Sequence, residues 1–157
     1  LSRYVTTVAN SGTCYDLTLI DQVKDVNGNV ILDNHAKVRN TVNIANSTWK
    51  AVHNGMYRVV NGSRSSIGSM FSGMKVKIAG KTGTAQQSKL HANHAYFVSY
   101  APYKNPEISV TCVIPNGFTS SNAAQTARDV YKYYFSKNKK KVSGKIKMPE
   151  SNTTHTD

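Results

Sequence analysis

The sequence predicts an α+β fold in which an antiparallel sheet is flanked by helices. Its segments follow the order helix, small β unit, helix, three strands, helix, which does not alternate regularly enough for a doubly wound parallel sheet. The link between the last two strands is also short enough for a hairpin, which pairs strands antiparallel. With 157 residues, 39% hydrophobic and 18% charged, the composition is typical of one folded domain.

A helix opens the chain. Its apolar residues recur at helical spacing from the first turn, and Gly12, after Asn10 and Ser11, can take the left-handed conformation that ends a helix. Because helical spacing is already present from Tyr4 and Leu1 is not a start methionine, we expect the chain to be a fragment of a longer protein. The apolar residues are Tyr4, Val5, Val8 and Ala9.

A small β unit is predicted next. Asn27-Gly28 is the strongest short hairpin signal in the sequence and predicts a turn within residues 23–31. Upstream of it, three apolar residues alternate with polar ones: Tyr15, Leu17 and Leu19.

A second helix is expected to begin at a cap provided by Ser47 or Thr48 and to end at Asn61-Gly62. Residues three or four apart form its buried stripe. This stripe consists of Trp49, Val52, Met56 and Val60. The glycine- and serine-rich segment 61–73 after the helix is predicted to be an irregular connecting loop.

Three strands and a helix complete the prediction. Apolar residues alternate before Gly80, before Pro102 and before Pro115, and the second and third strands are expected to pair antiparallel. Ser120, Ser121 or Asn122 would cap the last helix. The alternating sets are Met74, Val76 and Ile78; Tyr96, Val98 and Tyr100; and Ile108, Val110, Cys112 and Ile114. The helix would bury Ala123, Ala127, Val130, Tyr131 and Tyr134.

The formal net charge of +12 would suit a polyanionic partner such as nucleic acid. However, residues 136–157 hold six lysines and two acidic residues, so this basic and polar tail supplies four of those charges. We expect the tail to be a flexible, solvated end. Of the aromatic residues near it, Tyr131 and Tyr134 fall on the apolar stripe of the last helix, which favours core packing over base stacking. Nucleic acid is therefore not predicted as a partner.

Other features of the sequence indicate structure more than chemistry. Cys14 and Cys112 each lie in an apolar stretch, as buried structural cysteines do, although a disulfide between them stays open. His91 and His94 flank a strand without a carboxylate or cysteine cluster, so no metal site is predicted. No apolar run approaches the roughly 20 residues that a membrane span needs.

The segment AGKTGTAQ, residues 79–86, is the most informative in the chain. Glycine inside a strand forfeits packing and backbone entropy, so Gly80 and Gly83 favour a position where a ligand or another backbone approaches closely. The alternative is a bulge. An edge strand would also offer unpaired backbone groups to an extended peptide.

Lys81-Thr82-Gly83 is the third motif of the serine penicillin-recognising enzymes. Its surroundings resemble the class B penicillin-binding proteins and occur in the same order as in that family. The chain therefore resembles the C-terminal part of their transpeptidase domain over about residues 1–135. The similar stretches are residues 4–13 (YVTTVANSGT), 54–60 (NGMYRVV), 79–86 and 94–102 (HAYFVSYAP).

The resemblance implies a partial penicillin-binding, β-lactamase-like fold and a peptidoglycan DD-transpeptidase. In that family a serine attacks the D-Ala-D-Ala end of a stem peptide, and β-lactams acylate the same serine. By resemblance, Lys81 supplies positive potential, while the Thr82 and Thr84 hydroxyls bind the terminal carboxylate and the Thr84 N–H forms half of the oxyanion hole. The substrate-binding wall would add Gly80, Gly83, Ala85 and Gln86. No cofactor is implied.

The other two motifs of the family, Ser-x-x-Lys and Ser-x-Asn, are expected upstream of Leu1 together with the strands that complete the sheet. Three Ser-x-x-Lys matches occur here, of which the one at Ser47 is the most serious rival, but it would be a helix cap. Ser120 and Ser136 begin Ser-x-Asn matches that follow the Lys-Thr-Gly strand instead of preceding it. The other two Ser-x-x-Lys matches begin at Ser72 and Ser136. The chain alone is thus expected to be inactive.

The resemblance also implies a setting. We expect the full-length parent to be tethered to the membrane and to act on its extracytoplasmic face with other cell-wall synthesis proteins. Its partners would be stem peptides, β-lactams and the N-terminal half of the same protein. A β-lactam sensor with the same fold is the main alternative, and a β-lactamase is a weaker one.

Overall fold

The structure is a computed structural model that describes residues 1–136. Within them the chain forms three α-helices and seven strands, with a short 3-10 helix (Gly68–Phe71) before the fifth strand. The mixed composition and the antiparallel pairing confirm the predicted α+β class. In chain order the elements are α1 (Ser2–Ala9), β1 (Thr13–Tyr15), β2 (Gln22–Lys24), β3 (Val30–Asp33), β4 (Val38–Thr41), α2 (Asn46–Asn61), β5 (Ala79–Ala85), β6 (His94–Ala101), β7 (Ile108–Ile114) and α3 (Ser120–Tyr134).

The main sheet has the strand order β5-β6-β7 and is antiparallel throughout. The predicted hairpin between β6 and β7 is present, and β5 and β6 form a second one with a longer link. The β5–β6 ladder runs from Ala79↔Tyr100 to Ala85↔His94 without a register shift. Gly80 and Gly83 therefore do not mark a bulge, which excludes that alternative.

One face of the sheet packs on α3. Ala95, Phe97 and Ser99 of β6 are fully buried there, together with Tyr131 of α3. The Tyr131 hydroxyl donates to Ser99 Oγ at 2.9 Å, and Ser99 Oγ donates to the Val110 carbonyl at 3.2 Å. Because each buried hydroxyl has a partner, this polar contact is compatible with an otherwise apolar core.

The prediction for α3 needs two corrections. The helix is capped by Thr119, whose hydroxyl accepts the Ser121 N–H at 3.5 Å, and not by a residue from 120 to 122. Val130 is 42% exposed, whereas Ala124 is buried. The face of α3 that the sheet buries is therefore rotated slightly from the face that the spacing predicted.

The opposite face of the sheet packs on α1 and on part of α2, whose Val60 lies instead in the cluster under α3. Val5 of α1 meets Ala79 and Tyr100 of the sheet in a second buried cluster. His53 joins the two helices, because its Nε2 lies 2.7 Å from the Val8 carbonyl. The histidine was not singled out in the sequence, since a single polar residue on a helix gives no periodic signal.

The ends of α1 and α2 fit the sequence unequally. Left-handed conformations at Ser11 (φ 54°) and Gly12 (φ 111°) end α1 as predicted. By contrast, α2 begins after Ala45 without a side-chain cap, so the prediction of a Ser47 or Thr48 cap is wrong. Val52, placed on the buried stripe, is 37% exposed.

The predicted β unit contains the expected hairpin. Strands β2 and β3 pair around Gly28, whose φ is +87°, and the Asp25 carboxylate accepts backbone N–H groups of Asn27 and Asn29. A second antiparallel pair, β1 with β4, was not predicted. Leu17 and Leu19 lie outside the strands and are exposed.

The segment between α2 and β5 differs most from its prediction. Ile67 and Phe71, expected in an irregular loop, are buried in the cluster under α3. Met74, Val76 and Ile78 precede the strand and do not form it, because β5 begins at Ala79. The alternation of 74–78 therefore indicated buried residues correctly for Ile78 but not their conformation.

Cys14 is buried and Cys112 half-buried, and both are free thiols. Within residues 1–136, no three His, Cys, Asp or Glu side chains come together as metal ligands, and no helix has the length and apolar character to cross a bilayer. The basic tail and the Ser-x-x-Lys and Ser-x-Asn matches that begin at Ser136 extend outside the described residues.

Candidate active site

The Lys-Thr-Gly motif lies on an edge strand. β5 pairs with β6 on one side, and no other strand of residues 1–136 pairs with its second side. An edge of this kind leaves backbone N–H and C=O groups for an added peptide strand. The arrangement is the one that the sequence analysis required, since backbone paired on both sides could not bind a peptide in this way.

The alternation of β5 divides the motif between the two faces of the sheet. Thr82 and Thr84 pair with Phe97 and Ala95, whose side chains lie in the core under α3. Lys81 pairs with Val98, which packs against the cluster under α1 and α2. The two threonines therefore share one face, and Lys81 begins on the other.

The Lys81 side chain is long enough for its ammonium group to return to the backbone of the strand. Its ammonium nitrogen Nζ donates to the carbonyl oxygen of Thr82 at 2.6 Å. The charge is thereby held at the backbone of the next residue in the motif, on an exposed side chain. The Lys81 ammonium and the Thr82 hydroxyl therefore both lie near the backbone of Thr82.

The Thr84 hydroxyl is oriented by α3. Its oxygen accepts the backbone N–H of Ser120, the first residue of the helix, at 3.3 Å. A hydroxyl that accepts one hydrogen bond still has its own proton to donate. Thr84 is exposed, so this proton can be directed to a ligand.

The two glycines of the motif meet close neighbours within the chain. A Cβ on Gly80 would lie 2.5 Å from Cζ of Phe97, and one on Gly83 would lie 3.3 Å from the Tyr96 Cβ. Gly80 is buried, and the packing of the Phe97 ring is sufficient reason for a glycine there. Contact of Gly80, Gly83, Ala85 and Gln86 with substrate stays a prediction.

The loop after β5 is held by a histidine. His94 Nε2 lies 2.7 Å from Gln87 Oε1, and His94 Nδ1 accepts the backbone N–H of Asn116 at 2.9 Å. The structural interpretation of His94 is confirmed by these contacts. His91 is exposed in the same loop. The contact with the turn after β7 could not be found from sequence, because Asn116 is 22 residues away.

A cavity of about 840 Å³ opens beside the motif. It lies between the last turns of α2, the segment that follows them and Thr82 of β5. Two arginines line it, and sequence reasoning had assigned a role to neither. Its lining consists of Gly55, Arg58, Val59, Gly62, Ser63, Arg64, Ser65, Ser66 and Thr82.

The described Ser-x-x-Lys matches do not form a nucleophile and base at this edge. Ser47 lies at the start of α2, whereas Arg58 near its end lines the cavity; at about 1.5 Å per residue these positions are roughly 16 Å apart. Ser72 is in extended conformation (φ −59°, ψ 140°) and does not stand one helical turn before Lys75. Neither match places a serine beside Lys81.

A Lys-Thr-Gly motif on the edge strand of an antiparallel sheet, packed between helices, defines the class of serine penicillin-recognising proteins. Residues 1–132 match the family described as "Penicillin binding protein transpeptidase domain". The chain belongs to this family and is similar to its class B members, which confirms the resemblance seen in the sequence.

Two curated relatives illustrate the similarity. The chain is 40% identical over 110 residues to the peptidoglycan D,D-transpeptidase MrdA of Haemophilus influenzae, an alignment that covers 60% of this chain and 17% of the relative. It is 33% identical over 146 residues to penicillin-binding protein 2B of Streptococcus pneumoniae serotype 2, covering 85% and 22%. The chain thus spans about a fifth of the length of these relatives.

Solved structures agree on the fold. The structure of penicillin-binding protein 2B from Streptococcus pneumoniae strain R6 superposes with a TM-score of 0.73 at 30% identity, covering 86% of this chain and 24% of that one. An imipenem acyl-enzyme complex of penicillin-binding protein A from M. tuberculosis gives 0.72 at 21% identity, covering 83% and 29%, and supports the fold alone.

Proposed function

We propose that this chain forms the carboxylate-binding wall of the active site in a serine DD-transpeptidase that cross-links peptidoglycan and is acylated by β-lactams. The observation that carries the proposal is the position of the Lys-Thr-Gly motif on a strand edge, with an ammonium at the backbone and two hydroxyls on one face. Relatives named as peptidoglycan D,D-transpeptidases support it.

Each group of the motif has a chemical task in this proposal. The terminal carboxylate of the donor peptide receives hydrogen bonds from Thr82 and Thr84, next to the positive charge of Lys81. Because the Thr84 oxygen already accepts the Ser120 N–H, its proton points away from α3 and is available to the carboxylate. The backbone N–H of Thr84 stabilises the oxyanion of the tetrahedral intermediate.

The remaining parts of the site come from outside this chain. Within residues 1–136 no Ser-x-x-Lys pair lies beside β5, so we propose that the nucleophile and its base belong to the rest of a longer parent protein. The donor peptide would lie along the free edge of β5, against Gly83, Ala85 and Gln86. The parent would act at the extracytoplasmic face of the membrane with other cell-wall synthesis proteins.

The proposal is tested by labelling the full-length parent with a fluorescent penicillin and mapping the acylated residue. We expect one serine outside this chain to be labelled. Lys81→Ala should slow acylation about a hundredfold or more, because loss of one group that stabilises the transition state electrostatically costs about 3 kcal/mol. Lys77→Ala, an exposed lysine just before the strand, is the control and should label normally.

Acylation alone does not distinguish a transpeptidase from a sensor, so the same protein is assayed for cross-linking of D-Ala-D-Ala donors. Labelling without cross-linking would assign the chain to a sensor. Labelling that is unaffected by Lys81→Ala would contradict the proposed role of the motif.

A further inference from the structure

Arg58 and Arg64 line the same cavity as Thr82. Both side chains are exposed, and within the described part of the chain neither forms an ion pair; the pairs found there involve His35, Arg39 and Arg128. Two guanidinium groups thus lie next to the proposed carboxylate-binding wall, and no carboxylate among residues 1–136 forms an ion pair with them.

The sequence around the cavity contains no acidic residue. Residues 34–106, which include α2, the following segment and β5, hold ten Lys or Arg and no Asp or Glu. A cavity lined by charges of one sign concentrates the field and attracts ligands of opposite charge. The cavity is therefore suited to an anion and unsuited to a cation.

Backbone contacts fix the geometry of the segment that carries the two arginines. The Gly62 N–H donates to the Arg58 carbonyl at 2.9 Å, and Ser65 donates to the Val59 carbonyl through Oγ at 2.5 Å. A Cβ at Gly62 would lie 2.5 Å from the Arg58 oxygen, so the tight turn requires glycine. Arg64 is thereby held on the same wall as Arg58.

We propose that Arg58 and Arg64 form a second anion subsite, which binds a carboxylate inside the donor peptide, separate from its terminal carboxylate. This inference rests on the function proposed above. The cavity adjoins Thr82 of β5, so a peptide added along the edge of this strand would pass beside it. Guanidinium groups bind carboxylates through two parallel hydrogen bonds, which adds geometric selection to the charge.

The experiment uses the full-length parent and two D-Ala-D-Ala peptide donors that differ only at one internal carboxylate, free in one and amidated in the other. For the wild type, we expect amidation to raise KM about tenfold with little change in kcat, because the contact is made equally in ground and transition states. In the Arg58→Gln/Arg64→Gln double variant, the two donors should have nearly equal KM values.

Controls separate the subsite from the rest of the site. Acylation by benzylpenicillin, which lacks an internal peptide carboxylate, should change less than about twofold in the double variant. Lys50→Gln removes an exposed charge at the other end of α2 and should leave the preference for the free donor intact. A double variant that lost the preference and penicillin acylation together would contradict a role limited to the donor.

The outcomes are distinct. A wild-type protein that treats both donors alike, or a double variant that keeps the preference, overturns the subsite while leaving the proposed function in place. A parent that benzylpenicillin does not acylate overturns the proposed function and with it this inference. If the glutamine variant fails to fold, Arg58→Lys/Arg64→Lys decides: a reduced preference with normal acylation supports the subsite, and an unchanged preference overturns it.

Discussion

Asn116 donates its backbone N–H to Nδ1 of His94 at 2.9 Å, and this contact determines which ring nitrogen carries the proton. Since Nδ1 accepts, the neutral imidazole holds its hydrogen on Nε2, which donates to Gln87 Oε1 at 2.7 Å. One side chain thus connects the turn before α3 to the loop that follows the Lys-Thr-Gly strand.

His94→Phe is expected to loosen that loop. The substitution removes two hydrogen bonds, each worth about 1 kcal/mol, while keeping an aromatic ring of similar size. Backbone amides of residues 86–93 should exchange roughly tenfold faster or more in hydrogen-exchange mass spectrometry of the full-length protein. His91→Phe, in the same loop, is the matched control; equal exchange in both variants would show that His94 does not hold the loop.

Ser120→Pro tests the orientation of Thr84. Proline is well tolerated at the first position of a helix, and Thr119 is already extended (φ −134°, ψ 144°), so α3 should form normally. The substitution removes the N–H that Thr84 accepts. We expect penicillin acylation to slow roughly threefold to tenfold, corresponding to about 0.5–1.5 kcal/mol.

Ser120→Ala keeps that N–H and serves as the control for the proline variant. Its acylation rate should match that of the wild type. Equal rates for the proline and alanine variants would show that the contact with α3 does not orient the Thr84 hydroxyl.

Gly80→Ala should destabilise the domain by about 1–3 kcal/mol, the usual cost of overpacking, because the new methyl would overlap the Phe97 ring. Gly55→Ala is the contrasting variant: it lies inside α2 with open space around its Cβ position and should stabilise by up to about 1 kcal/mol. Urea unfolding of the complete transpeptidase domain measures both. A neutral Gly80→Ala would mean that Phe97 moves easily, which would restore ligand approach as the reason for this glycine.

Two buried phenols predict a loss of stability at alkaline pH. Burial raises the pKa of Tyr100 from 10.0 to about 12, and burial also raises the pKa of Tyr131. The unfolded chain loses these protons near pH 10 whereas the folded chain retains them, so stability is complete below pH 10 and falls as the pH rises above it. Thermal unfolding midpoints between pH 8 and 12 measure the decline.

Tyr100→Phe should flatten the alkaline decline. The Tyr100 hydroxyl is buried and has no hydrogen-bond partner within the described part of the chain, so its removal should cost little stability at neutral pH. Tyr131→Phe should also reduce the decline but cost about 1 kcal/mol at neutral pH, because the Tyr131 hydroxyl bonds Ser99. Identical pH curves for Tyr100→Phe and wild type would contradict the assignment.

Local patterns predicted the elements whose residues determine their own conformation. Asn27-Gly28 located a hairpin, Gly12 located the end of α1, and alternation located β6 and β7. These signals lie within a few residues of the structure that they specify. The same locality explains the errors: Met74, Val76 and Ile78 alternate like a strand, but within residues 1–136 they pair with no other strand and precede β5.

The candidate site also combines residues that the sequence identified with contacts that only the structure shows. Lys81, Thr82 and Thr84 were found by motif and position, yet the contacts that orient them come from distant parts of the chain. Ser120 reaches Thr84 across 36 residues. Arg58 joins the cavity because α2 packs beside β5.

The sequence by itself determined the family, the order of elements and the strand that carries the reactive motif, since these depend on residue identity and short-range spacing. Only the tertiary structure decided that this strand lies at an edge, that Thr82 and Thr84 take the face toward α3, and that two arginines lie near Thr82. Edge position, facing and proximity arise from packing between residues far apart in the chain, where the pairing energy depends on geometry that no local pattern encodes.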